Sequence, residues 1–187
     1  MKPIFLIGYM GSGKSTMGRS LSALLNIDLI DLDHYIEARY HQSVRDIFAS
    51  RGEETFRIIE KNVLHEVGEF ENVIIACGGG TPCYFDNMDY MNKKGITIYL
   101  NASHEALLRR LSLPKAKAKR PIIADKSNEE LAIFITEAIE KRLPHYSKAK
   151  LHFDSSWLED GHQVTTSTQN LARQIESINS TSHAHEP

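Results

Sequence analysis

The fold of this chain is decided by the stretch Gly8-Tyr9-Met10-Gly11-Ser12-Gly13-Lys14-Ser15, which fits the pattern G-x-x-x-x-G-K-[ST] of phosphate-binding loops. A short apolar run, Ile4–Ile7, comes directly before it and predicts a buried strand. A helix is predicted to begin near Ser15, because apolar residues recur on one helical face at Met17, Leu21, Leu24 and Leu25. The pattern therefore lies between a strand and a helix, which is the context that its chemistry requires.

The residue types of this loop suit a bound nucleotide. Glycines let backbone N–H groups turn towards phosphate oxygens, and the N-terminus of the following helix adds the positive end of its dipole. Lys14 is predicted to reach the β- and γ-phosphates, and Ser15 to offer its hydroxyl oxygen to Mg²⁺. The alternative is a glycine-rich turn with a solvated lysine.

Short β-rich runs alternate with amphipathic helices along the chain, which is typical of a parallel sheet with helices on both faces. Besides Ile4–Ile7, the predicted strands are Leu29–Asp31, Val73–Ala76, Ile96–Leu100 and Leu151–Phe153. Further helices are predicted from Ser43 to near Gly52, from Phe56 to Val67, after Ser127, and around Leu171 to Ile178. We therefore expect a three-layer α/β fold, with one domain over residues 1–178 and a polar tail over residues 179–187.

Length and charge limit the classes of partner. The 187 residues suit one domain, and the net charge of −2 comes without a long basic block, so no nucleic acid is expected. No apolar run has the length of a membrane span, and the N-terminus lacks the shape of a signal peptide. Cys77 and Cys83 are predicted to be reduced thiols. These features predict a cytoplasmic protein with no membrane partner.

Two acidic residues, Asp31 and Asp33, lie at the end of the second predicted strand. Alternation along a strand would put both carboxylates on the same side. In an open α/β sheet the carboxyl ends of the strands face the ligand crevice. One carboxylate is then available for Mg²⁺ and the other for a substrate hydroxyl. The alternative is that Asp33 only caps the next helix.

Two arginines and a glycine run supply further candidate groups. Arg57 and Glu60 are three residues apart on one helical face, and an ordinary surface ion pair is the alternative interpretation. Arg142 is close to the end of a long helix, where a cation is also favourable for purely structural reasons. The run Gly78-Gly79-Gly80 follows the third strand and offers unshielded N–H donors, with a flexible turn as its alternative.

A basic stretch from Pro114 to Arg120 interrupts the alternation of strands and helices. It lies between two predicted helices and contains no large apolar residue from Lys115 to Arg120. One interpretation is a solvated basic loop. The other is a lid, over about residues 112–124, that closes over phosphates.

In their joint order and spacing these motifs resemble the shikimate kinase family, over nearly the whole chain from about residue 2 to residue 178. The resemblance implies a P-loop fold like that of nucleoside monophosphate kinases, with a lid and a substrate-binding helical region over about residues 33–62. It implies transfer of the γ-phosphoryl group of ATP to the 3-hydroxyl of shikimate, with Mg²⁺, in aromatic amino acid biosynthesis. Shikimate and ATP are then the partners, and a monomer is expected.

The resemblance also implies roles for individual residues. The catalytic residues are Lys14, Asp33 and Arg120. The ATP-binding residues are Gly11, Ser12, Gly13, Lys14, Ser15, Thr16, Arg110 and Arg120, with Arg110 beside the adenine. The shikimate-binding residues are Asp33, Arg57, Gly78, Gly79, Gly80 and Arg142, of which Arg57 and Arg142 hold the carboxylate. Ser15 contacts Mg²⁺ directly and Asp31 through water. From the spacing, Glu60 is expected to orient Arg57.

Two departures from the family pattern stand out. Cys77 precedes the glycine run, where a small hydroxyl, glycine or apolar residue is expected, and residues 155–163 show no clear match to the segment that closes over adenine. Two rival functions also remain: a kinase of another hydroxy acid such as gluconate, and a non-catalytic ligand-sensing domain of the same fold. The presence of Lys14, Asp33 and Arg120 argues against the sensor.

Overall fold

The computed structural model describes residues 1–183, with side chains described through residue 178. Its centre is a five-stranded sheet in which every pair of neighbouring strands is parallel. The strands are β1 (Ile4–Ile7), β2 (Asp28–Asp31), β3 (Val73–Ala76), β4 (Ile96–Asn101) and β5 (Leu151–Asp154), in the spatial order β2-β3-β1-β4-β5. All five predicted strands are present, so the predicted parallel sheet is confirmed.

Nine helices connect or flank the strands of the described part of the chain. They are α1 (Lys14–Leu25), α2 (Leu32–Tyr40), α3 (Val44–Val67), α4 (Asn87–Lys94), α5 (His104–Leu111), α6 (Pro114–Ala118), α7 (Pro121–Ala124), α8 (Asn128–Tyr146) and α9 (Gly161–His183). A short 3₁₀ turn spans Thr81–Cys83. Among these helices, none is both long enough and apolar enough to cross a membrane.

The central strand β1 is buried on both faces. Phe5 and Ile7 belong to a core that includes residues of α2 and α3, whereas Ile4 and Leu6 belong to a second core with residues of α1 and α9. All four side chains are fully buried. A continuous apolar run is what such a strand requires, because successive side chains point to opposite faces. The three-layer α/β architecture is therefore confirmed.

The helical region after β2 is divided by a glycine. Gly52 lies inside α3 but has φ 77° and ψ 168°, which is not a helical conformation. Left-handed φ values of this kind carry little steric cost for glycine. The predicted helix end near Gly52 is therefore confirmed, and the chain resumes its helix at once rather than through a loop.

The prediction that Asp31 and Asp33 share one strand is wrong. Strand β2 ends at Asp31, and α2 begins at the next residue. Asp31 is itself the N-cap of α2, since its Oδ1 accepts a hydrogen bond from the backbone N–H of His34 at 3.3 Å. Asp33 occupies the first turn of that helix, where its proximity to the site depends on helical rather than strand geometry.

Two further segments differ in detail from the sequence-based expectation. The predicted lid segment, residues 112–124, contains the short helices α6 and α7 instead of an irregular loop. Helix α9 continues to His183, so the first residues of the predicted polar tail are helical. The remainder of that tail, residues 184–187, lies outside the described residues.

Candidate active site

A cavity of about 410 Å³ lies at the carboxyl ends of the central strands. It is lined by the phosphate-binding loop, by Asp31 and Asp33, and by residues that follow β3. Arg110 and Arg120 also line it. The parallel strands place these chain segments at the same edge of the sheet, because every strand ends there. The fold therefore brings the predicted nucleotide groups and both acidic residues into one cavity.

The phosphate-binding loop is held in a conformation that favours glycine. Gly13 is the N-cap of α1 and has φ 97° and ψ 11°. A Cβ atom there would lie 2.5 Å from Cδ1 of Leu158, which also lines the cavity. The backbone angles therefore favour glycine at this position, whereas the end of the Leu158 side chain could move aside.

Lys14 lies across the loop that it follows. Its Nζ donates hydrogen bonds to the carbonyl oxygens of Gly8 and Tyr9, at 2.7 Å and 2.9 Å. Burial lowers the pKa of Lys14 to about 8, and the nearby carboxylate of Asp33 opposes that shift. A bound polyphosphate would favour the charged ammonium, since an opposite charge nearby raises the pKa of an amine.

Asp33 is a buried carboxyl group whose acidity is altered by its surroundings. Burial raises its pKa to about 6, and the neighbouring carboxylates of Glu60 and Asp31 add to the shift. A carboxylate with a pKa near the working pH is well suited to accept a proton from a hydroxyl group. The position in the first turn of α2 directs this group to the cavity.

Arg57 and Glu60 form a buried ion pair. Nη1 of Arg57 donates to Oε2 of Glu60 at 2.9 Å, and the Glu60 side chain is only 1% exposed. The hydroxyl of Thr81 donates to Oε1 of the same carboxylate at 2.5 Å. Both oxygens of Glu60 are thus satisfied, and the interpretation of an ordinary surface pair is wrong. Glu60 fixes the orientation of Arg57, as expected from their spacing.

The glycine run lies where the charged side chains converge. A Cβ atom on Gly78 would lie 3.1 Å from Oδ1 of Asp33 and 3.1 Å from Oε1 of Glu60. One on Gly80 would lie 3.0 Å from both terminal nitrogens of Arg57, and one on Gly79 would lie 3.3 Å from Nη1 of Arg142. Because these positions carry no side chain, the four charged groups can each approach the glycine run closely.

Arg142 reaches the glycine run from α8. Its guanidinium carbon lies 5.3 Å from the ring centre of Tyr9, in the phosphate-binding loop. One turn later on the same helix, the hydroxyl of Tyr146 donates to the carbonyl oxygen of Gly79 at 2.5 Å. Helix α8 is thereby tied to the glycine run, which places Arg142 beside Gly79.

The comparison with known proteins identifies the family. The family model for shikimate kinase matches residues 10–175. A shikimate kinase of Parabacteroides distasonis is 51% identical over 174 residues, which cover 91% of this chain and 99% of that protein. This chain belongs to the shikimate kinase family. It is accordingly an ATP-dependent small-molecule kinase, and neither the gluconate kinase nor the ligand-sensing alternative is favoured.

Solved shikimate kinases have the same architecture. The crystal structure of the enzyme from Bacteroides thetaiotaomicron aligns with a TM-score of 0.90 at 48% identity, covering 94% of this chain and 98% of that one. The shikimate kinase from Acinetobacter baumannii, solved in complex with shikimate, aligns with a TM-score of 0.80 at 30% identity, covering 95% and 94%. The P-loop kinase fold inferred from the sequence is therefore confirmed.

Relative to the shikimate kinase pattern, the cavity-lining residues after β5 were missed by sequence reasoning. Leu158 and Glu159 line the cavity although residues 155–163 carry no recognisable motif. Arg110 holds this segment, because its Nη2 donates to the carbonyl oxygens of Ser155 and Ser156, at 3.0 Å and 2.9 Å. The resemblance to the family indicated the segment but not which of its residues line the cavity. The contacts with Arg110, itself a predicted ATP ligand, place the segment there.

Arg110 and Arg120 reach the cavity in different ways. Nη1 of Arg110 donates to the carbonyl oxygen of Gly11 at 3.1 Å, which connects the phosphate-binding loop to the segment after β5. The side chain of Arg120 donates to its own segment, through the carbonyl oxygen of Ala116 at 3.0 Å. Burial lowers the pKa of Arg120. Arg110 is thus a fixed part of the wall, whereas Arg120 depends on the position of α6.

Cys77, which precedes the glycine run, is a buried free thiol. Its Sγ lies 3.7 Å from Sδ of Met91 and 3.8 Å from the carbonyl oxygen of Ile75. Burial raises the pKa of Cys77, so the thiol stays neutral at physiological pH. The residue therefore fills space below the glycine run and adds no charge to the site.

Proposed function

We propose that this protein transfers the γ-phosphoryl group of ATP to the 3-hydroxyl of shikimate, which yields shikimate 3-phosphate and ADP for aromatic amino acid biosynthesis. The observation that carries the proposal is the convergence of Asp33, Arg57 and Arg142 on the glycine run, beside the cavity that contains Lys14. A hydroxylated carboxylic acid requires this combination, with cations for its carboxylate and a base for its hydroxyl.

The carboxylate of shikimate is proposed to bind between Arg57 and Arg142. Guanidinium groups bind carboxylates through paired N–H donors, and both arginines border the same glycine run. The backbone N–H groups of Gly78, Gly79 and Gly80 are proposed to contact the hydroxyls of the ring, because the carbonyl oxygens of these glycines already accept hydrogen bonds within the protein. The solved relative that contains shikimate supports an acceptor of this kind for the family fold.

The reaction requires positioning and one proton transfer. A bond forms between the 3-oxygen of shikimate and the γ-phosphorus, while the bond from that phosphorus to the oxygen of the leaving ADP breaks. Asp33 is proposed to orient the hydroxyl and to accept its proton. Lys14 is proposed to stabilise the β- and γ-phosphate charge, together with backbone N–H groups of Gly11, Ser12 and Gly13 and the hydroxyl of Thr16.

The residues beside the loop also suit Mg²⁺. Ser15 and Asp31 line the cavity and offer oxygen atoms, which this hard cation prefers. Among the described residues, no group of three or more His, Cys, Asp and Glu side chains is arranged to hold a metal alone. Magnesium commonly completes its shell with substrate phosphates and water, so one direct ligand from Ser15 and one water-mediated contact to Asp31 are sufficient. When bound, the ion neutralises charge on the phosphates.

The segment over residues 112–124 is proposed to act as the lid, and Arg120 to stabilise the transferring phosphoryl group. Arg120 already borders the cavity and is attached through a short helix of its own segment. Arg110 is proposed to lie beside the adenine, with Leu158 and Glu159 completing that part of the wall. The protein is further proposed to act as a cytoplasmic monomer, without nucleic acid or membrane partners.

An ADP-release assay tests the proposed function. Shikimate, quinate and gluconate are supplied separately with ATP and Mg²⁺, and phosphate transfer is checked by mass spectrometry of the product. We expect turnover with shikimate to exceed turnover with gluconate by at least about 10³-fold, because the open chain of gluconate places its hydroxyls differently from its carboxylate and leaves polar groups of the site unpaired. Comparable turnover with gluconate would contradict the proposal.

A further inference from the structure

One face of α3 is covered by the residues that follow the 3₁₀ turn. Glu53, Arg57 and Lys61 recur on this face at intervals of four residues, and residues 84–86 run alongside them. At one end of this contact Nζ of Lys61 lies 2.6 Å from Oδ1 of Asp86. At the other end the hydroxyl of Tyr84 donates to Oε1 of Glu53 at 2.7 Å. The segment is therefore attached to α3 on both sides of Arg57.

The ring of Tyr84 lies directly against Arg57. The guanidinium carbon is 4.0 Å from the ring centre, compared with 5.3 Å for Phe56 and 5.6 Å for Phe48. Tyr84 is thus the aromatic partner in closest contact. The attraction between a cation and an aromatic face strengthens when both are withdrawn from water, and the Arg57 side chain is only 13% exposed.

Three of the five N–H groups of the same guanidinium donate to protein carboxylates, which leaves one N–H on each of Nη1 and Nη2 for the substrate. Glu60 accepts from Nη1, and Oε1 of Glu53 accepts from Nε and Nη2 at 3.3 Å and 3.1 Å. Glu60 is buried, but the Glu53 side chain is 57% exposed. An exposed carboxylate alone holds a partner weakly. Tyr84 therefore restrains Arg57 in two ways. Its ring lies against the guanidinium directly, and its hydroxyl bonds to Glu53, which in turn bonds to Arg57.

We propose that Tyr84 is a positioning residue for recognition of the substrate carboxylate. It acts through Arg57, by holding the plane of the guanidinium in the orientation that meets the acid. An arginine side chain has several rotatable bonds, and its binding energy falls when these must be ordered on binding. The inference rests on the proposed role of Arg57 in carboxylate binding, and the experiment tests that role separately from the role of Tyr84.

The test compares steady-state kinetics of Tyr84→Leu, Tyr84→Phe and the wild-type protein, with shikimate and ATP varied in turn. Tyr84→Leu is expected to raise KM for shikimate about five- to tenfold, which corresponds to the free energy of a partly buried cation–π contact. Its kcat should stay within about twofold of the wild-type value. Tyr84→Phe keeps the ring and is expected to raise that KM no more than about twofold. KM for ATP should be unchanged in both.

Phe85 supplies the matched control. It is the next residue, is 56% exposed and faces Lys61 rather than Arg57. Phe85→Leu should leave KM for shikimate unchanged. Thermal unfolding of every variant identifies loss of stability, and Tyr84→Met provides a second non-aromatic side chain of similar length if Tyr84→Leu folds poorly.

The possible outcomes are distinct. An unchanged KM for shikimate in Tyr84→Leu and Tyr84→Met contradicts the positioning role, as does an equal rise in Tyr84→Phe and Tyr84→Leu. A rise of the same size in Phe85→Leu also contradicts it, because the effect is then one of the segment as a whole. Arg57→Ala is measured in parallel: if it leaves KM for shikimate unchanged, the proposed carboxylate site itself fails.

Discussion

At the scale of single residues, the site depends on charges that burial has altered. Asp33 and Lys14 lie in the same cavity, and burial shifts the pKa of each towards neutrality, to about 6 and about 8. An acid whose pKa is raised and a base whose pKa is lowered favour their uncharged forms when alone. Substrates that add phosphate and hydroxyl groups change that balance, so protonation and binding are coupled in this site.

Replacement of Asp33 by Asn is expected to lower kcat by about 10²–10⁴, because the amide keeps the shape but accepts no proton. Asp31→Asn is the matched control, since Asp31 caps α2 and lies at the same edge. It should retain more activity than Asp33→Asn. The opposite order of the two variants in steady-state kinetics would exchange their proposed roles.

The pH dependence follows from the same residue. Asp33 is active as a carboxylate, so kcat/KM at low concentrations of both substrates should fall as the pH drops through about 6, the pKa of this group. The fall should approach tenfold per pH unit on the acid side. The residual kcat/KM of Asp33→Asn should no longer show this fall at low pH. If the fall persists unchanged in Asp33→Asn, the ionisation belongs to another group.

The two arginines are the residue-scale test of acid binding. Arg57→Ala and Arg142→Ala are each expected to weaken shikimate binding by roughly 2–5 kcal/mol, the range for removing one partner of a buried charge pair. Binding of an ATP analogue should change much less, because neither side chain lines the cavity beside Lys14. Calorimetry measures both affinities. Parental affinity for shikimate in both variants is the contradicting result.

At the scale of elements, α6 and α7 form the part of the site that is least anchored. Leu113 and Ile122, at the starts of these helices, are 57% and 61% exposed. Among the described residues of this segment, Ile123 joins a hydrophobic core as a fully buried side chain. Segments with few buried apolar contacts open at low cost, which is what a lid requires.

Arg120→Ala is expected to lower kcat by about 10³, the lower end of the range for loss of an arginine that stabilises the transferring group. Lys117→Ala is the matched control, because Nζ of Lys117 bonds to the carbonyl oxygen of Lys126 instead of lining the cavity. Hydrogen exchange over residues 112–124 should slow when both substrates bind. Unchanged kcat in Arg120→Ala, or unchanged exchange, would favour the solvated-loop interpretation.

At the scale of the whole molecule, the phosphate-binding helix is supported from the far end of the chain. Leu171 and Ile175 of α9 pack in the same core as Met17 and Leu21 of α1. All four side chains are at most 1% exposed. The orientation of the phosphate-binding loop therefore depends on packing against α9, although Leu171 and Ile175 do not line the cavity.

Leu171→Ala should destabilise the protein by about 2–5 kcal/mol, the cost of losing buried methyl groups and leaving a cavity. Leu24→Ala is the control, since Leu24 lies on α1 but is 50% exposed, and its effect should stay within about 0.5 kcal/mol. Denaturant unfolding measures both. Equal effects of the two substitutions would show that α9 contributes no packing to this core.

The sequence by itself determined the features that depend on neighbours along the chain. The loop from Gly8 to Ser15, the five apolar strands and the break at Gly52 follow from local residue types and spacing, because dihedral preferences and hydrophobic periodicity act over a few residues. Asp33 was also identified, although its predicted place on a strand was wrong. Asp33 would reach the same crevice from the end of a strand or from the first turn of a helix, and the local sequence pattern does not distinguish these two conformations.

Only the tertiary structure decided which distant groups meet. Arg110 and Gly11 are 99 positions apart, yet their hydrogen bond joins the loop to a segment without a motif. Two other contacts also join residues that are distant in the sequence. The ring of Tyr84 lies against Arg57, and the hydroxyl of Thr81 donates to Glu60. Whether Arg57–Glu60 is a surface pair or a buried one depends on what packs around α3. Burial and long-range contact arise from the packing of whole elements, and no local pattern encodes them.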